Sequence, residues 1–246
     1  MLEINKIYNM DCVQGLNLIE DNSVDLIIID PPYIVTKEQW DKKDVVSPQL
    51  SKELFRVLKS TGNFYCWGGI GEKSQTIINW FLIFKNTGWY FKDWITWKKQ
   101  RGMGMRKGWL YTREEVLWFV KDNKKFIWNT ECQYSTEKYD DAWIKRLKKE
   151  YKRLTNVWTD IKEETLSGLT GIKDIIKKDK NHFTPKPEKA IERIILAHTT
   201  KNDIVLDCFL GSGTTAYCAK KLNRNYIGID NNKYYCEIAE ERLEKI

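Results

Sequence analysis

The sequence predicts an α/β fold, and three features carry that prediction. Ser23-Val24-Asp25-Leu26-Ile27-Ile28-Ile29 is a short, apolar, β-branched run, the pattern of a strand buried in a parallel sheet. Asp203-Ile204-Val205-Leu206-Asp207 and Tyr226-Ile227-Gly228-Ile229-Asp230 also read as strands. Helical spacing follows each of these two, over Gly213 to Leu222 and Asn231 to Ile246, so strand and helix alternate.

The remaining elements follow in order. Asp30-Pro31 ends the first strand, because proline cannot continue a central strand. A helix is expected from Ser47 to Lys59, with Leu50, Leu54 and Leu58 on one face, Ser47-Pro48 as its start and Gly62 closing it. Asn63 to Trp67 reads as a strand ending in Gly68-Gly69, and Lys73 to Phe84 as a helix. Strands are expected at Phe91 to Lys98 and Glu115 to Val120. Between them, Lys99 to Gly108 carries three glycines and no apolar periodicity, and is expected to be a mobile basic loop.

From about Asp122 to Lys180 the alternation breaks. Trp143, Leu147, Tyr151 and Leu154 are spaced as one helical stripe, so Ala142 to Leu154 is expected to be a helix with basic residues on its other face. Pro187 to Thr199 resumes the pattern with Ala190, Ile194 and Ala197 in line. The expected organisation is one α/β domain from residues 1–120 and 182–246, interrupted by an insert at 121–181. No repeat or low-complexity tract is present.

Composition narrows the function classes. A chain of 246 residues with 42% hydrophobic and 30% charged residues is ordinary for a globular domain with a real core. The formal charge of +7 favours nucleic acid over acidic partners, although a lysine-rich surface gives the same count. Eleven tryptophans and twelve tyrosines suit cores and base stacking alike. Six scattered cysteines without a Cys-x-x-Cys pair, and two histidines, argue against a zinc site and for a reducing cytoplasm. No signal peptide and no apolar run of membrane-spanning length is seen.

Two segments carry chemistry. Asp207-Cys208-Phe209-Leu210-Gly211-Ser212-Gly213-Thr214-Thr215 leaves a strand and opens a helix, and Asp230 ends the next strand about twenty residues on. Glycines let the backbone turn sharply and approach a ligand, and the second acid suits ribose hydroxyls. No lysine follows the glycines, so this is not a phosphate-binding P-loop; a nicotinamide dinucleotide would satisfy the pattern as well as another nucleoside cofactor. The second segment, Asp30-Pro31-Pro32-Tyr33, sits at the C-terminal end of a buried strand, the edge where open α/β sheets bind ligands. The Asp30 carboxylate and the Pro31 carbonyl offer two acceptors for an amino group. The prolines stiffen the turn, and Tyr33 offers a flat face to a flipped base.

Asp-Pro-Pro-Tyr after an apolar strand, a basic insert, and then the glycine turn resembles the amino-methyltransferases that act on DNA. The order, target half before cofactor half, resembles their β class with its circularly permuted motifs. Asp11-Cys12 stands where that class carries an acid contacting the cofactor's adenine. His182-Phe183-Thr184-Pro185-Lys186-Pro187 is similar to its His-Pro-Thr-x-Lys-Pro element, and Asp207 to Thr215 to its Asp-Pro-Phe-x-Gly-Ser-Gly-Thr-Thr loop. Cys208 and Phe183 depart from this pattern by replacing prolines. The likeness covers Asn9 to Leu58 and His182 to Leu243, and says almost nothing from Gln100 to Asn181.

The resemblance implies a Rossmann-like, mostly parallel, twisted seven-stranded sheet with helices on both faces, S-adenosylmethionine as cofactor, and no metal. It implies direct transfer of a methyl group to the amino group of adenine in double-stranded DNA. Asp30, Pro31, Pro32 and Tyr33 would act on the target. Asp11, Cys12, Thr184, Lys186, Asp207, Phe209, Gly211, Ser212, Gly213, Thr214 and Asp230 would hold the cofactor. The insert would recognise the target, with Arg101, Arg106, Lys107, Lys145, Lys148, Lys149, Lys152 and Arg153 as DNA contacts. A homodimer, a cognate restriction endonuclease and a prokaryotic or phage source are compatible with it. Cytosine N4, RNA or a protein amide remain alternative acceptors, as does a non-catalytic DNA-binding role.

Overall fold

The computed structural model describes residues 2–34, 44–70, 74–103, 107–163 and 185–246. The described elements run β1 (Lys6–Asn9), α1 (Cys12–Leu16), β2 (Val24–Ile29), α2 (Pro48–Val57), β3 (Leu58–Gly68), α3 (Thr76–Asn86), β4 (Tyr90–Met103) and β5 (Tyr111–Val120). Then come β6 (Tyr134–Lys138), α4 (Asp141–Leu147), β7 (Tyr151–Arg153), β8 (Val157–Trp158), α5 (Glu188–His198), β9 (Ile204–Asp207), α6 (Thr214–Lys221), β10 (Asn225–Asp230) and α7 (Lys233–Leu243).

The main sheet has the order β1-β10-β9-β2-β3-β5-β4-β8. Its first five strands are mutually parallel, and β5 is antiparallel to both neighbours. This is the expected mostly parallel sheet, with seven strands of four residues or more and the two-residue β8 added at one edge. The two sequence halves meet where β2 pairs with β9, Leu26 beside Val205 and Ile27 beside Leu206. Every residue of β2 is buried, as expected for a strand covered on both faces. One core cluster packs Ile27, Ile29, Leu50, Leu54, Trp80 and Phe119 on one face of the sheet, and the other packs Leu26, Ile28, Ile191, Ile194, Ala216 and Ala239 on the opposite face.

Local chemistry explains the element starts. Ser47 Oγ accepts from the Leu50 amide at 3.1 Å with Pro48 in the first turn, so α2 begins where the sequence indicates. Leu58, however, begins β3 instead of ending α2, and Gly62 lies inside that strand. A Cβ on Gly62 would stand 2.5 Å from Leu58 Cδ1 and 2.9 Å from the Asp25 carbonyl, so a close strand approach is what requires glycine there.

Two expectations are corrected. Lys99 to Met103 is not loop but the end of β4, which runs far beyond Lys98 because β5 pairs with it out to Met103 opposite Tyr111. Ala142 to Leu154 is not one helix. Lys148 takes a left-handed conformation (φ 53°) and caps α4, after which Tyr151–Arg153 pairs antiparallel with β6. Once the chain turns at Lys148, β6 supplies backbone partners that a continued helix would have had to supply itself.

His198 ends α5 in the core. Its Nδ1 lies 2.8 Å from the Ile127 carbonyl, which can only accept, so Nδ1 carries the proton and Nε2 accepts from the Tyr65 hydroxyl at 2.7 Å. Burial pushes its pKa down to about 4, and this histidine is a neutral structural group. Among the described residues no helix is long and apolar enough to cross a membrane, and no group of side chains could hold a metal.

Candidate active site

The parallel strands β1, β2, β3, β9 and β10 end along one edge of the sheet. The connections from β2 and from β9 leave in opposite directions, making the β2–β9 boundary a switch point at which a crevice opens. A cavity of about 500 Å³ occupies it, within the size range of small-molecule sites. Asp30, Pro31, Pro32 and Tyr33 line it from the β2 end, and Asp207, Phe209, Gly211, Ser212, Thr214 and Asp230 from the β9 and β10 ends. Asp11, Cys12 and Lys186 complete the residues singled out by sequence.

Gly213 does not line the cavity. It starts α6 at φ 80°, and a Cβ there would come 2.6 Å from the Ala239 Cβ, so it is a turn and packing glycine. Gly211 is different. At φ 52° it would meet nothing within 4 Å, and so presents open backbone to the cavity. Thr184 and Arg106, together with His182-Phe183, lie outside the described residues.

Carboxylates dominate the cofactor half. The Gly211 amide donates to Asp230 Oδ2 at 2.8 Å and the Asn232 amide to Oδ1 at 2.8 Å, so Asp230 shapes the turn that it faces. Burial raises its pKa despite those bonds. Asp207 accepts from the Phe209 amide at 3.0 Å, and burial outweighs its hydrogen bonds to bring it to about 7. Asp11 caps α1 by accepting from the Val13 and Gln14 amides. Burial pushes Cys12 up to about 11 and Cys208 well above its ordinary range, so both are neutral thiols. Among the described lining residues Lys186 is the one cation. Three carboxylates and an open glycine turn, with no cation at that turn, suit a nucleoside bearing hydroxyls and positive charge better than a pyrophosphate.

The target half is already hydrogen-bonded. Tyr33 Oη donates to Asp30 Oδ1 at 2.5 Å, and Lys186 Nζ lies 2.7 Å from Oδ2. The Lys186 ammonium lies 5.1 Å from the Tyr33 ring centroid, and Trp80 is a second ring neighbour at 6.2 Å. Burial pushes the Asp30 carboxyl above its usual range, with Lys186 pulling against it. Glu114 is the residue that sequence reading missed. Its carboxylate lies 3.1 Å from Lys186 and also pairs with Lys99. The antiparallel direction of β5 brings its first residues to the edge where β3 ends, which sequence order does not suggest. The available signal is the charged triplet Arg113-Glu114-Glu115 opening an otherwise apolar strand.

Lys107, Lys145, Lys148, Lys149, Lys152 and Arg153 do not line the cavity. Lys107 is exposed at the β4–β5 hairpin tip beside Trp109, which is 95% exposed, and Arg101 lies on β4. Lys145, Lys148, Lys149, Lys152 and Arg153 are exposed on α4, its cap and β7. Acids temper this surface, since Lys152 lies 3.2 Å from Glu137 and Lys138 pairs with Glu150.

Comparison with known proteins gives the same assignment. The DNA methylase family of N6/N4 methyltransferases matches residues 24–241, and the chain belongs to that family. The Type II methyltransferase M1.MboII of Moraxella bovis is 36% identical, with 100% of this chain and 99% of that protein aligned. The Type II methyltransferase M.HpaI of Haemophilus parainfluenzae is 34% identical over 95% of this chain and 72% of its own. Among solved structures, the M1.HpyAVI–SAM complex superposes with a TM-score of 0.64 at 27% identity, covering 96% of this chain and 98% of that one.

Proposed function

We propose that this chain transfers a methyl group from S-adenosylmethionine to the exocyclic amino group of adenine in double-stranded DNA, with the base flipped into the cavity. The observation that carries the reading is that the Asp30–Tyr33 turn and the Asp207–Asp230 cofactor turn open onto one cavity. When bound, S-adenosylmethionine supplies a methyl group activated by its sulfonium. Asp230 and Asp11 would hold the nucleoside, Gly211 would allow its close approach, and Phe209 would pack against it. Thr184 and Gly213 remain in the proposed set, the latter through the shape of the turn.

An adenine amino group is a weak nucleophile because its lone pair is delocalised into the ring. Asp30 and the Pro31 carbonyl would each accept one amino hydrogen and help free that lone pair. Tyr33 engages one Asp30 oxygen and Lys186 the other, and a carboxylate oxygen has two lone pairs, so capacity remains for the amino group. Tyr33 and Pro32 would bound the base. The family resemblance favours adenine, because serine is commoner at the position of Asp30 in cytosine-N4 enzymes. The Type II names of the relatives suit a restriction–modification context.

The basic surfaces would meet DNA. Neutralising Lys148, Lys149 and Lys152 together is expected to weaken duplex binding and flatten its log–log salt slope by about 2 to 3, since each phosphate contact contributes about 0.9. Trp109→Ala is expected to weaken binding with the slope unchanged, because it removes a stacking surface and no charge. Titrations of a labelled duplex at several salt concentrations measure both. An unchanged slope in the triple variant would remove those lysines from the interface.

The function itself is tested by supplying methyl-labelled S-adenosylmethionine together with duplex DNA, RNA and a protein extract. Label is expected in DNA alone. Label confined to RNA or protein contradicts the proposal.

A further inference from the structure

Beside the proposed catalytic carboxylate lies a row of alternating charges, Asp30, Lys186, Glu114 and Lys99, drawn from the end of β2, the segment before α5, and β5 and β4. Lys186 is 8% exposed and Glu114 13%, while Lys99 at the outer end is 26% exposed. Burying such pairs is seldom the most stabilising use of a site, and an apolar cluster of similar shape often does as well or better. A costly polar array beside a reacting group therefore asks for a functional account.

Geometry supplies one. The Lys186 ammonium sits between two carboxylates, 2.7 Å from Asp30 and 3.1 Å from Glu114. A buried ammonium with Asp30 as its sole anion would be drawn wholly onto that carboxylate and compete for the lone pairs that must accept the amino hydrogens. A second anion holds it back and fixes its direction of approach. Building on the proposed function, we propose that Glu114 is a positioning residue for methyl transfer: it holds Lys186 in place and acts on the reaction only through Lys186 and Asp30. Lys186 then serves the target half as well as lining the cofactor cavity.

The charged groups facing the row set the expected pH behaviour. Asp30 is influenced by Lys186, Glu114 and Tyr33, and Asp30 in turn acts on Asp207 and Cys66. Glu114 faces Lys186 and Lys99 and influences Tyr111. For Glu114 burial pulls upward, yet the two lysines together hold its carboxyl below the usual range. Glu114 helps to raise both the Asp30 carboxyl and the Lys186 ammonium.

The test is single-turnover methyl transfer to duplex DNA across pH, at saturating labelled cofactor and DNA. Glu114→Gln is expected to lower the rate on the order of ten- to a hundredfold, as for a slightly misplaced reacting group. Cofactor affinity should stay within about twofold, because Glu114 does not line the cavity. Both limbs of the rate profile should move to lower pH, since the substitution removes the anion that raises both Asp30 and Lys186. Lys99→Met should also move the acid limb to lower pH, by less, because Glu114 then titrates higher and is less fully ionised where Asp30 titrates. Limbs that stay in place, or a loss confined to cofactor affinity, would overturn the proposal. If Glu114→Gln fails to fold, Lys99→Met carries the test, and an unmoved acid limb overturns the proposal. A wild-type protein that methylates no DNA would instead refute the proposed function, so the two failures are distinguishable.

Discussion

Replacing Asp30 with Ala is expected to lower methyl transfer about a thousandfold or more, a loss of ~4 kcal/mol of transition-state stabilisation. The substitution removes one of the two proposed acceptors for the amino hydrogens and leaves Lys186 with Glu114 as its close anion. Asp30→Asn separates the two effects, since it keeps the shape and one acceptor oxygen but loses the charge that faces Lys186. Both variants should bind cofactor nearly as wild type, because the carboxylates of the cofactor half are untouched. Turnover within about tenfold of wild type in either variant would remove Asp30 from its role. The comparison also reports on Tyr33, whose hydroxyl donates to Asp30 at 2.5 Å and would lose a charged acceptor in both.

The second large effect concerns stability. Arg242 on α7 is fully buried, 2.7 Å from Glu188 of α5 and 2.9 Å from the Thr214 hydroxyl of α6, with the Tyr217 ring 4.5 Å below its guanidinium. It therefore ties together three helices on one face of the sheet. Arg242→Met takes the close cation from the buried Glu188 carboxylate, from which Lys221 lies 3.9 Å away. Breaking a buried pair from one side typically costs about 3 to 5 kcal/mol, a large share of a stability of about 5 to 15 kcal/mol. Urea unfolding should show a clearly lower midpoint with an unchanged slope. Pairing the change with Glu188→Leu should recover part of the loss, because the carboxylate that lost its close cation is then gone as well. A single variant with wild-type midpoint would show that the guanidinium is not holding the helices together.

The parts of the site that were legible in the sequence are those that local chemistry specifies. Asp30-Pro31 ends a buried strand, Asp207 and Asp230 end two others, and parallel pairing puts all three ends on one edge. Glu114 was not legible because it arrives by an antiparallel strand, and because its partners Lys99 and Lys186 lie 15 and 72 positions away in sequence. β1 was missed because Lys6–Asn9 is short and half exposed, with no apolar run to announce an edge strand. The stripe at Trp143, Leu147, Tyr151 and Leu154 misled because helical spacing also arises by chance across a short helix, a left-handed turn and a strand. No side chain of α4 is buried, so no core contact stood behind that period.

Whether the cavity methylates the amino group of adenine in DNA is decided by methylating duplex DNA with labelled S-adenosylmethionine, digesting it to nucleosides and separating the labelled products. N6-methyldeoxyadenosine is predicted to carry the label, and Asp30→Ala to remove it. Label in N4-methyldeoxycytidine would contradict the adenine assignment, and unlabelled DNA would contradict the account as a whole.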